Sequence, residues 1–279
     1  MSDLSDLTSS PAVTVTVVLC RSDLGRLEAT LSSLNRAVER LQQSTPLYLV
    51  DHSLDEQYSE DVRALISAPE YSSKLDIQHL VCARNPGFGS GHNSILSLPM
   101  GDCHLILNPD VELLDDFLIR ARQTMTEQSN VAVLAPRGTN DMGEEEYLAK
   151  RYPSVLVLLL RAFAPGWLQK PVQGKMAGYE LQDLPMSGPL QDVPLLSGCC
   201  MMVRSEAFRA VAGFDERFFL YFEDYDLCMR LVSQGRVVRD PSQLIVHHGG
   251  QAARKGWRHI LWFLRGGLRF FNRWGWRWV

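Results

Sequence analysis

The sequence predicts an α/β protein with a mainly parallel central sheet, and three observations support this prediction. Short runs rich in Val, Ile and Leu recur along the chain, segments of helical periodicity separate them, and turn-forming polar residues follow several of the runs. Strands that alternate with helices favour parallel pairing through crossover connections. The chain has 279 residues, of which 46% are hydrophobic and 22% charged, so it can bury the core of one large domain or two small ones.

The elements follow in order along the chain. Val13–Leu19 is β-branched and apolar and predicts a buried strand, and the apolar residues of Leu24–Leu41 recur with the spacing of an amphipathic helix. We expect further strands at 47–50, 75–81, 103–107, 131–134, 193–203, near 237 and at 244–246, and helices at 58–66, 115–125 and 224–233. Residues 137–194 are rich in Gly and Pro and contain an acidic run, which is typical of a mobile loop over the sheet.

Polar side chains follow three of the predicted strands: Asp51, Asn85 and the turn Asn108-Pro109-Asp110. Ligands of open α/β sheets bind beyond the carboxyl ends of the strands, so the fold can bring these three groups to one rim. Asp and Asn also end strands for turn reasons alone, and that interpretation stays open for each of them. The oxygens of the Asn108-Pro109-Asp110 turn suit Mg²⁺ or Mn²⁺, and substrate phosphates usually complete such a coordination shell.

A glycine-rich segment at 84–93, with the sequence RNPGFGSGHN, precedes a predicted helix at 93–98. Glycines let the backbone approach a ligand closely, and the N-terminus of a helix attracts anions. The segment lacks the lysine of a phosphate-binding P-loop and the spacing of a dinucleotide fingerprint, so a structural turn is the alternative.

The Glu223-Asp224 pair directly follows a run of aromatic and aliphatic residues. Burial and mutual repulsion raise the pKa of such carboxyl groups toward the working pH, which is how a general base is made. The alternative is a helix N-terminus, where the helix dipole favours acidic residues. Near the end of the chain, His247 and His248 follow a predicted strand and precede two glycines, so an imidazole there is either a metal ligand or structural.

The C-terminal segment differs in charge from the rest of the chain. It carries seven basic residues from Arg254 onward and no acid, whereas the whole chain has a net charge of −4, and five of the six tryptophans lie there. A helical projection places one apolar face beside a basic one; the apolar residues are Trp257, Leu261, Leu264, Leu268 and Phe271, and the basic ones are Arg254, Arg258, Arg265 and Arg269. Such helices bind anionic membrane surfaces, and packing on the rest of the protein is the alternative. A basic charge confined to one tail does not indicate a nucleic-acid partner.

Six cysteines lie at positions 20, 82, 103, 199, 200 and 228, and none forms a Cys-x-x-Cys pattern. Those in apolar runs behave as small hydrophobic residues, which together with a polar, acidic N-terminus favours the reducing cytoplasm. The apolar run at 155–160 is too short to span a bilayer. We therefore expect a cytoplasmic protein that lies peripherally on the inner face of the cell membrane.

These motifs, in this order, resemble the inverting glycosyltransferases of family 2, in particular the rhamnosyltransferase-like branch. The resemblance covers about residues 13–250 and rests on the opening strand and helix, on the motifs at 51–55, 85–93 and 108–110, and on 197–202 and 213–227. It implies a GT-A fold, with one catalytic domain at 11–253 that binds a nucleotide-diphospho-sugar and a tail at 254–279.

The resemblance also implies roles for individual residues. Asp224 would be the catalytic base, with Glu223 as the alternative. Asp51 would contact the nucleotide base, Asn108 and Asp110 the ribose and the metal-diphosphate, and His247 would help to hold the metal, Mg²⁺ or Mn²⁺. The remaining candidates for binding the nucleotide-sugar are Asn85, Gly89, Gly91, Asn93 and Gly198. An inverting transfer needs one base and a means to stabilise the leaving diphosphate, and it needs no covalent nucleophile.

The reaction that the resemblance implies moves L-rhamnose from dTDP-L-rhamnose to a hydroxyl of a lipid-linked glycan, or of a lipopolysaccharide or other cell-surface polysaccharide precursor. A transferase that uses a UDP-hexose or a UDP-N-acetylhexosamine is the alternative within the class. A non-catalytic, membrane-docking scaffold with a sugar-nucleotide fold is the alternative outside it. The chain departs from the family pattern at Cys20-Arg21, where Tyr-Asn is usual, and at His52, where Asn is usual.

Overall fold

The computed structural model describes residues 11–69, 71, 73–163, 173–249 and 256–279. The strands in these parts of the chain are β1 (Val13–Leu19), β2 (Thr45–Asp51), β3 (Leu75–Val81), β4 (Cys103–Leu107), β5 (Val111–Leu113), β6 (Val131–Thr139), β7 (Glu145–Glu146), β8 (Ala149–Lys150), β9 (Gln191–Asp192), β10 (Leu195–Leu196), β11 (Cys200–Arg204) and β12 (Arg236–His247). The helices are α1 (Leu24–Leu41), α2 (Glu56–Ile66), α3 (Phe88–Asn93), α4 (Phe117–Glu127), α5 (Val155–Phe163), α6 (Gln173–Tyr179), α7 (Ser205–Ala210), α8 (Glu223–Leu231) and α9 (Trp257–Trp274).

The central sheet has the strand order β3-β2-β1-β4-β11-β6-β12-β5, with β7 added to β6 and β9 to β12. The first four strands of this order are parallel, as predicted, and β6 pairs in parallel with β12. Strand β11 lies antiparallel between β4 and β6. Its insertion beside β4 sets the start of β11 against the end of β4, which is the rim where the polar motifs lie.

Helices cover both faces of the sheet. On one face, α1 buries Leu27, Leu31 and Leu34 among strand residues such as Val15 and Leu105. On the other face, a second cluster is formed by residues that include Ile106, Met201, Phe208, Phe214 and Leu227. Neighbouring residues on one strand belong to opposite clusters because successive side chains of a strand point to opposite faces.

Three elements differ from the sequence-based predictions. The glycine-rich segment forms α3 itself, from Phe88 to Asn93, and a 3₁₀ turn at Ser94–Ser97 replaces the helix expected at 93–98. The described part of 137–194 contains strands and helices instead of one loop. Strand β12 is continuous where two segments were expected; the register shift between Asp240 and Leu244 accommodates Pro241, which has no N–H for the ladder.

A third apolar cluster joins the C-terminal helix to the body of the protein. It contains Phe218 and Phe222 from the segment before α8, and Phe270 and Phe271 from α9. The tail therefore buries one face against the rest of the protein, as expected if the C-terminal helix packs on the domain. Phe271 belongs to this buried face. Arg254 and Lys255, and the boundary expected at 253–254, lie outside the described residues. No helix in the described ranges is long and apolar enough to cross a membrane.

Candidate active site

The site is built on the contact between the ends of β4 and β11. Leu107 pairs with Cys200, and the Asn108 N–H then donates a hydrogen bond of 2.8 Å to the carbonyl oxygen of Cys199. The Asn108-Pro109-Asp110 turn is thereby fixed beside the Gly198-Cys199 segment. Two motifs that are about ninety positions apart in the sequence thus meet at one edge of the sheet.

Asp224 is held at the same edge. Its Oδ2 accepts a hydrogen bond of 3.1 Å from the Gly198 N–H, and its Oδ1 accepts one of 2.8 Å from the Tyr225 N–H. Burial raises the pKa of Asp224 to about 6, while these backbone hydrogen bonds oppose the rise. The carboxylate is therefore oriented by main-chain donors and has a pKa close to the range in which a general base works.

Glu223 is buried beside Asp224, at 5% exposure. Burial, and then the charge of Asp224, raise its pKa well above the ordinary value. Its Oε2 has no hydrogen-bond partner among the described residues. A buried carboxyl group in this environment is favoured in its neutral form, so the two members of the pair differ: main-chain donors hold Asp224, whereas burial and the neighbouring charge disfavour the ionised form of Glu223.

Asp110 and His247 lie together at the end of β12. His247 pairs with Val111 in the ladder between β12 and β5, and its Nε2 is 3.6 Å from Oδ1 of Asp110. That Oδ1 is buried and has no hydrogen-bond partner in the part of the chain that the structure describes. A Cβ on Gly249 would lie 2.5 Å from the His247 Nε2 and 2.9 Å from the Asp110 Oδ2, so the chain turns closely over both groups.

Glu146 orients the His247 imidazole from behind. Its Oε2 is 2.6 Å from the His247 Nδ1, which leaves Nε2 turned toward Asp110. Burial alone would lower the pKa of His247, but the Glu146 hydrogen bond and the charges of Asp110 and Glu146 raise it. A carboxylate behind an imidazole is the usual support for a metal-binding histidine. Glu146 lies in the acidic run at 144–146, but no pattern in the sequence indicates that it contacts His247.

The neighbouring imidazole points elsewhere. His248 places its Nε2 2.6 Å from Oε1 of Glu112 and its Nδ1 against Asp141. Of the two adjacent histidines, His247 is therefore the one that faces Asp110.

Asp110 and His247 suit a divalent cation as two of its ligands. The unpartnered Asp110 oxygen is a hard anionic ligand, and the His247 Nε2 is a borderline one that Mn²⁺ accepts. In the described ranges no group of three or more His, Cys, Asp or Glu side chains converges as a complete metal site. Two protein ligands fit an ion whose remaining positions are filled by substrate phosphates and water.

Asp51 lies inside the protein, at 1% exposure. Its Oδ1 accepts from the Ser53 N–H at 2.8 Å, and its Oδ2 interacts with the Ser59 hydroxyl at 2.6 Å and with the His79 Nε2 at 3.2 Å. Burial would raise its pKa, but these hydrogen bonds hold the pKa well below the ordinary value. Both oxygens of Asp51 thus have protein partners, and its predicted contact with the nucleotide base stays a prediction.

The glycine-rich segment also differs from the expected ligand-binding turn. A Cβ on Gly89 would lie 2.7 Å from the Phe214 side chain, and one on Gly91 would lie 2.6 Å from Val18. Asn85 bonds to the Gly87 N–H at 3.0 Å and points its amide at Cys20. These contacts are what a structural turn would make, because the glycines let α3 pack closely on protein side chains.

Asn93 also binds the protein. Its amide oxygen accepts from the Phe214 N–H at 2.8 Å, and its amide nitrogen donates to the Phe214 carbonyl at 2.8 Å and to Glu216 at 3.1 Å. It fixes the segment that leads to the Glu223-Asp224 pair, a role that its position at the end of a glycine-rich run did not predict.

The chain is similar to several proteins of known class. No family model matches the chain. It is 28% identical over 235 residues to the N-acetylglucosaminyl-diphospho-decaprenol L-rhamnosyltransferase of Mycobacterium tuberculosis, covering 80% of this chain and 71% of that protein. It is 26% identical over 200 residues to the rhamnosyltransferase WbbL of Escherichia coli, covering 67% and 71%. The solved structure of GalNAc-T7 with UDP, GalNAc and Mn²⁺ superposes with a TM-score of 0.66 at 13% identity; the match covers 95% of this chain and 48% of that one, so this chain spans about half its length.

The fold is that of the GT-A glycosyltransferases. Because its curated relatives are named glycosyltransferases, and two of them rhamnosyltransferases, the chain is a rhamnosyltransferase-like glycosyltransferase.

Proposed function

We propose that the enzyme transfers a sugar with inversion from a nucleotide-diphospho-sugar to an acceptor hydroxyl, and that Asp224 is the general base. The anchoring of Asp224 on the Gly198 N–H, beside the Asn108-Pro109-Asp110 turn, is the observation that carries the proposal. It places a carboxylate with a pKa of about 6 next to the turn proposed to hold the diphosphate.

The reaction is a single in-line displacement. As the acceptor oxygen forms its bond to the anomeric carbon, the bond from that carbon to the diphosphate oxygen breaks and the hydroxyl proton passes to Asp224. A positioned base contributes about 10²–10⁴-fold to the rate. Glu223 is not the first choice for this step because burial and the charge of Asp224 raise its pKa well above the ordinary value, which disfavours the carboxylate form.

Asp110 and His247 would hold a Mg²⁺ or Mn²⁺ ion, with Glu146 fixing the imidazole. The ion would supply stabilisation of the negative charge that develops on the leaving diphosphate. The unpartnered Oδ1 of Asp110 and its distance of 3.6 Å from the His247 Nε2 support this assignment. The Mn²⁺ named with the GalNAc-T7 structure is consistent with it.

For the substrates, dTDP-L-rhamnose is the proposed donor and a lipid-linked glycan, or a lipopolysaccharide or other cell-surface polysaccharide precursor, is the proposed acceptor. The names of two relatives support rhamnose, and one of them names a decaprenol-linked acceptor. Donors carrying UDP with a hexose or an N-acetylhexosamine are the alternative. Asn108 and Asp110 are proposed to bind ribose and diphosphate, with Gly198 beside them.

We also propose that α9 docks the enzyme on an anionic membrane surface, on the cytoplasmic face. Its solvent side exposes a stripe of Trp257, Ile260, Leu264 and Leu268, each between 44% and 71% exposed. Exposed arginines at 258, 265 and 269 flank the stripe. Exposed apolar residues with flanking cations are what an interfacial helix presents to lipid. The buried side of the same helix anchors it to the domain.

A thermal-shift screen of nucleotide sugars with Mn²⁺ tests the donor. A ligand at 100 times its dissociation constant stabilises by about 2.7 kcal/mol, which is readily measured. The expected result is stabilisation by dTDP-L-rhamnose above UDP-hexoses, followed by metal-dependent release of dTDP. If no nucleotide sugar of the panel stabilised the protein or was cleaved, a non-catalytic scaffold would replace the proposed enzyme.

A further inference from the structure

The backbone immediately before the proposed base is in a conformation that side-chain-bearing residues rarely adopt. Tyr221 has φ 71° and Phe222 has φ 69°, and Glu223 begins α8 directly after them. Two successive left-handed residues without glycine persist only where surrounding structure imposes the conformation. The elements that contact Tyr221 and Phe222 therefore determine how α8 starts.

Helix α9 makes these contacts. The Tyr221 hydroxyl lies 2.9 Å from the His259 Nδ1, and the Phe222 ring packs on Phe263 and Phe270 with centroid distances of 5.1 and 5.7 Å. Between these contacts the two backbones meet: a Cβ built on Gly266 would lie 2.6 Å from the Tyr221 carbonyl oxygen. Only a residue without a side chain permits this approach.

The same helix also holds α8 one turn further on. Asp226 is fully buried, and its Oδ1 accepts from Arg273 at 3.0 Å and from the Trp274 indole N–H at 2.9 Å. Its Oδ2 accepts from Arg230 at 2.8 Å. Helix α9 thus contacts the first turn of α8 at two places: Tyr221 and Phe222 before Glu223, and Asp226 after Asp224.

We propose that Gly266 is a positioning residue for catalysis: its lack of a side chain lets α9 close on the Tyr221 carbonyl and so aims the Glu223-Asp224 pair at Gly198. This rests on the proposed function, in which Asp224 is the base. The C-terminal helix is accordingly part of the catalytic apparatus as well as the proposed docking surface.

The adjacent glycine provides a matched control. A Cβ on Gly267 would lie 3.4 Å from the Phe222 ring, an ordinary contact. Alanine raises helix propensity equally at both positions, so a general effect on α9 is common to Gly266→Ala and Gly267→Ala. Only Gly266→Ala pushes on the Tyr221 backbone.

The experiment compares the two full-length variants with the nucleotide sugar that stabilises the protein most in the panel, dTDP-L-rhamnose being the expected one. We expect Gly266→Ala to lower kcat by about 10- to 100-fold, the range for displacement of a catalytic group by about 1 Å. KM for the donor, and binding of the nucleoside diphosphate, should change by less than about twofold because the Asp110 turn is not displaced. Gly267→Ala should keep the wild-type kcat.

Equal kcat values in the two folded variants would overturn the proposal. If thermal unfolding shows that Gly266→Ala does not fold, Tyr221→Phe decides, since it removes only the hydrogen bond to His259: a several-fold lower kcat at unchanged donor KM supports positioning, and a wild-type kcat overturns it. Asp224→Asn is measured in parallel. Normal turnover in Asp224→Asn with a defect in Gly266→Ala would reject Asp224 as the base and leave Gly266 positioning Glu223.

Discussion

Gly198 donates its backbone N–H to Oδ2 of Asp224 over 3.1 Å, and this single hydrogen bond joins the β10–β11 connection to the start of α8. The next residue, Cys199, accepts the Asn108 N–H. The proposed base and the proposed diphosphate-binding turn are therefore held by the backbone of two consecutive residues. Their separation is set by main-chain geometry and not by flexible side chains.

Replacing Asp224 by Asn should abolish most of the activity. The change preserves shape and removes basicity, so kcat should fall by at least about 10²-fold while donor binding persists. Turnover and nucleoside diphosphate binding are measured on the same preparation, with Asp192→Asn, an exposed position away from the site, as the control. Near-normal turnover would exclude Asp224 as the base and make Glu223 the first alternative.

The rate should depend on pH through the ionisation of the base. Burial raises the pKa of Asp224 to about 6, so the reactive carboxylate is lost as the pH falls through that value. We expect kcat/KM to rise with pH, with a midpoint near 6, and then to level off. A midpoint near 4, the ordinary value for an aspartate, would contradict the role assigned to burial.

The same carboxyl group should also affect stability. Because its pKa is higher in the native state, the native state binds the proton more tightly than the unfolded state does, and this group's contribution to stability falls as the pH rises from about 4 to about 6. Asp224→Asn should therefore be at least as stable as the wild type at pH 7, with the difference disappearing below pH 4. Chemical denaturation at both pH values measures it; a variant destabilised at pH 7 would count against the assignment.

Transfer should depend on a divalent cation. Chelation with EDTA should abolish turnover and Mg²⁺ or Mn²⁺ should restore it, because Asp110 has an unpartnered buried oxygen facing His247. Asp110→Ala should raise the metal concentration required. Glu146→Gln should raise it less, about 10- to 100-fold at most, since Glu146 only supports the ligand. Full activity after exhaustive chelation would mean that cationic side chains stabilise the leaving group.

Membrane docking should reside in the exposed side of α9. Exchanging Leu264 and Leu268 for Ser should reduce co-sedimentation with anionic liposomes without lowering the unfolding temperature, because both side chains are exposed. Leu114→Ser, an exposed leucine on the body, is the control. High salt should release the wild type only in part, since it screens the arginines and leaves apolar insertion intact. Unchanged sedimentation of the double variant would refute docking through this stripe.

Deleting residues 257–279 is expected to destabilise the whole enzyme. The deletion removes Phe270 and Phe271 from the third cluster and leaves the buried Asp226 without Arg273 and Trp274. Asp226 keeps its ion pair with Arg230 but loses both donors to its buried Oδ1, so its charge is less well compensated. A truncated protein that unfolds at the wild-type temperature would show that the tail is an independent appendage.

Local sequence patterns were sufficient to predict most of the longer strands and helices and the polar residues of the candidate site. The β-branched runs predicted the parallel strands, since such patterns depend on burial and on preferences within a few residues. The Asp and Asn residues at strand ends, the Glu-Asp pair and the basic, tryptophan-rich tail were likewise visible. The residues of the Glu-Asp pair begin α8, with Glu223 buried and Asp224 half-buried, so the helix-start interpretation is confirmed and the catalytic role stays a prediction.

Which of these groups lie close together in space could be learned from the fold alone. The antiparallel insertion of β11 beside β4 brings Gly198 to the Asn108 turn, and β7 brings Glu146 behind His247, a residue about a hundred positions away. The same packing turned Asp51 inward and made the glycines of α3 contact points for protein side chains. In the fold, one face of α9 packs against α8 and the segment before it, and the other face is exposed to solvent. Contacts between distant segments depend on strand order and helix docking, which local spacing does not encode.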